Sequence, residues 1–176
     1  MRIRAGQTGF TLVELMIGIV ILAILAAVAV PSFQTWLLNS QVRNAAESIS
    51  SGLQRARAEA VGRNTDVEFE LSADSSWVVR VVGGADVETR SSSEGSKSVT
   101  VSAVDAGSNA ATTVTYNGFG GIKATNADAS TPFTQVDVDS SVLSAEESQN
   151  LRITIGLGGN VRMCDPNAPS GNPRAC

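Results

Sequence analysis

The residues best placed to do chemistry together lie at the front of the chain. Glu14 is the one carboxylate at the mouth of an apolar run, Leu15 to Val30, that carries no charge and hardly a polar group. An ionised carboxylate in a hydrocarbon-length helix costs roughly 2.5–3.5 kcal/mol at the bilayer centre and less towards the interface, so a partner for it must be sought. Just upstream, Met1 to Gly9 is a short basic stretch holding Arg2 and Arg4 and ending in glycine. Hydrolysis of the Gly9–Phe10 bond would create an α-amino cation at Phe10, close in sequence to Glu14. The chemistry open to this pair is charge pairing.

Elsewhere the residue types argue against catalysis. Histidine is absent, which removes the commonest general base and the commonest metal ligand. Serines are plentiful, but nothing is present to activate them, and the acids are scattered through loops. Gly118-x-Gly120-Gly121 and Gly156-x-Gly158-Gly159 lack the Lys-Ser/Thr pair opening a helix that a phosphate loop needs. Asp128, Asp137 and Asp139 lack the spacing of a calcium loop. The expectation is no enzyme, no catalytic residue, no metal and no cofactor.

The chain changes pattern twice. After Pro31 it turns from uniformly apolar to amphipathic: Val42, Ala45, Ala46, Ile49, Leu53, Ala56 and Ala60 recur at three- and four-residue spacing on one helical face. Arg43 with Glu47, Arg55 with Glu59 and Glu59 with Arg63 stand four apart, as exposed helical ion pairs do. The spacing predicts one helix from about Phe10 to about Gly62, softened at Gly18 and Pro31 and stopped by Gly62-Arg63-Asn64. From Asp66 the period becomes two. Val67, Phe69 and Leu71 pair across Ala73 to Ser76 with Trp77, Val79 and Val81, a hairpin that Gly83-Gly84 closes. Ser91 to Ser98 reads as loop, and further strands begin at Val99 and Val114 and span Phe133 to Val138. Asp139 to Asn150 reads as a polar loop before a final hairpin, Leu151 to Ile155 and Asn160 to Cys164. Two short sheets or one twisted antiparallel sheet would fit. The fold class is α+β, with domains 1–9, a leader; 10–31, the apolar half-helix; 32–64, the amphipathic half; and 65–176, a β-rich globular domain.

The formal charge is −4, from 13 basic and 17 acidic residues, and removing Arg2 and Arg4 with the leader leaves 11 against 17, or −6. That balance argues against general attraction to nucleic acid. Cys164 and Cys176 close the chain around a loop with Pro166, Pro169, Pro173 and Gly171. Beyond a translocated span the compartment is oxidising, so a disulfide is the default, with intermolecular pairing or free thiols as the alternative. An intramolecular bridge would close a ring of about 13 residues, worth ~3 kcal/mol.

Gly9-Phe10-Thr11-Leu12-Val13-Glu14 followed by the apolar helix resembles the class III signal of type IV pilins and type II secretion pseudopilins. The resemblance implies cleavage after Gly9 by a prepilin peptidase, N-methylation of Phe10, and pairing of Glu14 with the N-terminal amine of a neighbouring subunit. Leu53-Gln54, with Arg57 to Asn64, is similar to a segment of the FimT/FimU/GspH branch of minor pilins. That narrower resemblance implies a type IV pilin fold, a long helix resting on a β-sandwich-like domain, and partners among other pilins through the N-terminal helix. The implied setting is the bacterial inner membrane, N-terminus cytoplasmic, C-terminal domain periplasmic, and then the pilus. Implied functions are pilus assembly or initiation and pilus-dependent twitching, adhesion or DNA uptake, with a GspH-like secretion pseudopilin as the alternative. Some members of the branch bind DNA through a C-terminal Gly-Arg-x-Arg segment. Gly159-Asn160-Val161-Arg162 keeps the glycine and the last arginine, leaving Arg162, Arg174, Lys123 and Arg152 as candidates for weak DNA binding. An ordinary secretory signal, cut after Ala27-Val28-Ala29, fits less well, because Glu14 sits at the mouth of the run and the helix continues past Pro31.

Overall fold

The computed structural model describes residues 10–176. The leader and Gly9 therefore lie outside the described residues. The chain divides into two compact units, with the boundary between Trp36 and Leu37.

Helix α1 runs Leu12–Arg63. It starts on Thr11, whose hydroxyl accepts the Glu14 N–H at 3.2 Å while its carbonyl accepts that of Leu15 at 3.1 Å. A Thr-x-x-Glu start satisfies an otherwise orphaned donor and places the acid against the positive end of the helix, the cap alone being worth about 1 kcal/mol. The helix continues through Pro31, which brings no N–H, and the Thr35 hydroxyl donates back to the Pro31 carbonyl at 3.4 Å. It ends on Asn64 at φ 50°. There the Asn64 N–H reaches the Val61 carbonyl at 3.3 Å and the Thr65 N–H reaches that of Ala60 at 3.2 Å, the paired closure of a left-handed cap. Glu59 takes Arg55 at 2.9 Å and Arg63 at 2.6 Å, and the Arg63 hydrogen bond holds its carboxyl below the ordinary glutamate range. The third four-apart pair, Arg43 with Glu47, stays open among the described residues.

The second unit joins residues 37–63 of α1 to eight strands: β1 Val67–Leu71, β2 Trp77–Val81, β3 Asp86–Arg90, β4 Val99–Val104, β5 Thr113–Tyr116, β6 Gln135–Ser140, β7 Leu151–Ile155 and β8 Val161–Cys164. They form two four-stranded sheets, ordered β3-β2-β1-β5 and β4-β6-β7-β8. Every pairing is antiparallel. The chain builds three strands of the first sheet, crosses to lay down β4, returns for β5, and then completes the second sheet. Strand β3 was not expected, and Ser92–Glu94 within the expected loop is a short 3-10 turn. Strand β6 begins two residues later than Phe133 and takes in Asp139 and Ser140, because those residues pair with Thr100 and Val99 of β4.

All seven residues of the predicted helical face are buried, and they share one core with Phe69, Trp77, Val114, Tyr116, Val136, Val138 and Ile153. Gly52 lets helix and sheet close up, since a Cβ there would meet the Trp77 ring at 3.0 Å and the Phe69 ring closer still. Phe69 packs on Trp77 at 5.5 Å and edge-on to Phe133 at 6.2 Å, and the Trp77 indole donates to the Ser48 hydroxyl at 2.9 Å. Asn39 and Gln41 fasten the far loops to the helix. The Asn39 amide donates to the Glu147 carbonyl at 2.9 Å and accepts from the Gln149 N–H at 2.8 Å, and Gln41 accepts from the Ser98 N–H at 3.1 Å.

Candidate functional site

Between residues 10 and 42 the only charged side chain is Glu14. The helix around it turns apolar side chains to every side. Leu12, Val13, Leu15, Met16, Ile17, Ile19 and Trp36 are all exposed, and Val30 is still 52% exposed. A helix apolar all round belongs inside a membrane or a bundle of like helices, not in water. Residues 12–36 span roughly 37 Å at ~1.5 Å per residue, enough to cross a ~30 Å hydrocarbon core. Glu14 stands in the first turn of α1, four residues from Phe10, its backbone N–H capped by the Thr11 hydroxyl. Phe33 and Trp36 stack at 5.7 Å towards the end of this unit.

At the opposite end of the sequence Cys164 and Cys176 are joined, with their Cα atoms 5.1 Å apart. The ring they close is braced at its neck, beside the cysteines. The Asp165 N–H donates to the Arg174 carbonyl at 2.7 Å, and the Arg162 guanidinium donates to the Ala175 carbonyl at 2.8 Å. The four candidate cations do not gather. Arg152 forks onto Asp137 at 2.6 and 3.1 Å, and Lys123 binds Asp66 at 2.6 Å in the other sheet's neighbourhood. Arg162 and Arg174 stay with the ring. Arg174 and Arg43 line a cleft of about 510 Å³ whose wall also carries Glu47, Glu146 and Asp165. The cleft therefore offers both signs of charge and no converging nucleophile and base. Among the described residues no group of three or more His, Cys, Asp or Glu is placed to hold a metal ion.

A third feature had no signature beyond its glycines. The Arg57 Nε–H donates to the Gly120 carbonyl at 2.9 Å, clamping the 117–121 turn to the last turns of α1. Gly159, at φ 75°, lies so close that an added Cβ would fall inside the shell of the Gly120 carbonyl oxygen and touch the Tyr116 ring at 3.1 Å. Beneath this junction the Tyr116 hydroxyl is buried without a partner among the described residues, and burial pushes its phenol well above the ordinary range. The Arg57 to Asn64 segment is thus more than a well-made helix end. It binds the helix to two glycine turns whose tips expose Phe119 and Leu157. The aromatic in the middle of Asn117-Gly118-Phe119-Gly120-Gly121 was the available signal.

The profile of the type II transport protein GspH matches residues 45–170, and that of the prokaryotic N-terminal methylation motif matches residues 4–30. A fimbrial protein of Moraxella nonliquefaciens is 44% identical over 67 residues, 34% of this chain and 44% of that one. A type IV major alpha-pilin of Moraxella bovis is 39% identical over 70 residues, 40% of this chain and 44% of that one. The chain spans less than half the length of these curated relatives. In fold it is similar to the crystal structure of the type IV minor pilin FimU of Pseudomonas aeruginosa, at TM-score 0.50 and 15% identity over 78% of this chain and 96% of that one.

Proposed function

The chain belongs to the GspH family, a family of structural pilins and pseudopilins rather than enzymes, and from that premise we propose that it is a minor pilin of a type IV pilus. It is made with a leader that a prepilin peptidase removes after Gly9, and Phe10 is then N-methylated. Before assembly, α1 anchors it in the bacterial inner membrane, N-terminus cytoplasmic and sheets periplasmic, the side set by Arg2 and Arg4. In the filament the apolar half of the helix packs among neighbouring pilin helices. Register comes from Glu14 and the amine of an adjacent subunit, because a carboxylate left unpaired in that core is costly while a paired one is tolerated. Twitching, adhesion or DNA uptake would follow from the pilus.

The observation that carries this reading is a helix apolar on all faces with one acid in its first turn. Replacing Glu14 with leucine tests it. The variant should insert in the membrane and be cleaved normally, yet be depleted from sheared filaments by immunoblot; undiminished incorporation would refute the pairing role. Mass spectrometry of the extracted protein should find N-methylated Phe10 as the first residue. The family profile itself favours one second reading, a GspH-like pseudopilin of a type II secretion system. A deletion strain that keeps its pili but retains its exoproteins in the periplasm would select it.

A further inference from the structure

Asn117 is the one asparagine of the chain that precedes a glycine. A side-chain amide is a weak electrophile, and the next backbone nitrogen reaches it most readily where no Cβ shields that nitrogen. The turn holds the two groups differently. The Asn117 N–H donates to the Gly121 carbonyl at 2.9 Å, and the Gly120 N–H donates to the Asn117 carbonyl at 2.8 Å. Phe119 and Gly121 both donate their N–H to the Asn117 side-chain oxygen, at 2.9 and 3.2 Å. Within residues 117–121, only the Gly118 N–H has no acceptor among the described residues.

Two N–H groups aimed at one amide oxygen draw electron density from its carbon. They also stand where negative charge gathers once a nucleophile has added, as the donors of an oxyanion hole do. Asn117 and Gly118 are half-buried, open in part to water, so the untied Gly118 N–H has a base within reach. Nucleophile and electrophile are neighbours in the chain, which makes the attack intramolecular.

We propose that Asn117–Gly118 is a self-modification site, where the folded turn itself converts the asparagine into aspartate or isoaspartate. The Gly118 nitrogen gives its proton to hydroxide and bonds to the Asn117 Cγ. The bond from Cγ to the side-chain nitrogen breaks, and that nitrogen takes a proton from water and leaves as ammonia. A five-membered cyclic imide now joins the two residues. Water opens it at Cγ to give aspartate, or at the main-chain carbonyl to give isoaspartate, whose backbone runs through Cγ. The balance is one water in and one ammonia out, with no change of oxidation state.

Isoaspartate lengthens the main chain by one methylene where there is least room for it. Gly118 lies so close to the stop of α1 that an added Cβ would meet the Asn64 Cα at 3.2 Å and its side-chain oxygen closer still. Two residues on, the Gly120 carbonyl is held by Arg57 at 2.9 Å and abuts Gly159. The longer backbone lifts Gly120 off Arg57 and parts the two glycine turns. Aspartate keeps the backbone and both accepted N–H bonds, and adds only charge. The site is therefore a clock whose isoaspartate arm unfastens the end of α1, whichever machine the chain serves.

The full chain in detergent is aged at mildly alkaline pH, both folded and in guanidinium. Peptide mass mapping follows the amide-to-acid conversion, and an isoaspartyl methyltransferase labels the isoaspartate. A single oxyanion donor is worth roughly a hundredfold, so position 117 of the folded chain should convert at least about tenfold faster than Asn109 or Asn126, each followed by alanine. It should also convert no more slowly than in the unfolded chain. Slower conversion in the folded chain overturns the proposal. The aged, isoaspartate-bearing fraction should unfold at a lower guanidinium concentration than fresh chain, whereas Asn117→Asp should keep the fresh midpoint. An unchanged midpoint in the aged fraction, or an equal loss in Asn117→Asp, overturns the unfastening.

Discussion

Substituting alanine at Gly159 tests whether the two glycine turns are as tightly joined as the structure has them. Two separate penalties apply. The residue sits at φ 75°, and holding an L-residue in the left-handed region costs roughly 1–2 kcal/mol. The added methyl would also overlap the Gly120 carbonyl oxygen, which cannot simply retreat because Arg57 Nε–H holds it at 2.9 Å. Overpacking of that kind costs a further 1–3 kcal/mol or so, making about 3 kcal/mol a fair total. Gly83 provides the internal standard: its φ is 72°, yet nothing lies within 4 Å of an added Cβ, so Gly83→Ala carries the backbone penalty alone. Guanidinium unfolding of the full chain in detergent, read by Trp77 fluorescence in a Trp36→Phe background, gives both values. Gly159→Ala should exceed Gly83→Ala by at least about 1 kcal/mol. Equal losses would show that the turns can part freely.

Other outcomes follow from the same packing. Leu53→Ala, at a fully buried position on the helical face, should lose about 3–5 kcal/mol in the same unfolding experiment. Reduction of the Cys164–Cys176 bridge, or its replacement by two serines, should cost about 3 kcal/mol by the chain-entropy estimate for its ring, read as a lower denaturant midpoint. The Asp105 carboxylate accepts the backbone N–H of Asn109 at 2.9 Å, then its side-chain amide, and the N–H of Gly107, which hold its pKa below the ordinary 3.8. A depressed carboxyl contributes stability that is present above 3.8 and is lost as pH falls through the lower folded value. Asp105→Asn should therefore flatten the acid limb of the stability profile below about pH 4, and an unchanged limb would deny the carboxylate that role.

The helix could be read in advance because its signal is local. Seven apolar residues at three- and four-residue spacing leave one face to bury, and Asn64 supplies the left-handed stop. Glu14 and the two cysteines announced themselves by being isolated polar or reactive groups in the wrong surroundings. Strand β3 could not be read that way. Asp86-Val87-Glu88-Thr89-Arg90 has a single apolar residue, and it is a strand only because β2 offers it an open edge. The division into two sheets was equally hidden. It depends on β4 choosing β6 and β5 choosing β1, pairings between segments some 40 residues apart. Phe119 and Leu157 give no local signal, because what braces their turns, Arg57 on Gly120 and Gly120 on Gly159, joins residues far apart in sequence and declares no periodicity.

Strand β3 also has a consequence for how copies of the chain meet. It ends the first sheet with unpaired backbone groups on its outer side, a standing invitation to another strand. Its side chains answer with charge: Asp86 bonded to Arg80 at 3.3 Å, Glu88 facing Arg55 at 3.7 Å, and Arg90 facing Glu94 at 3.3 Å. An approaching edge would have to strip water and counter-charges from all three at once. Charge thus guards this edge against pairing with the sheet of a second copy.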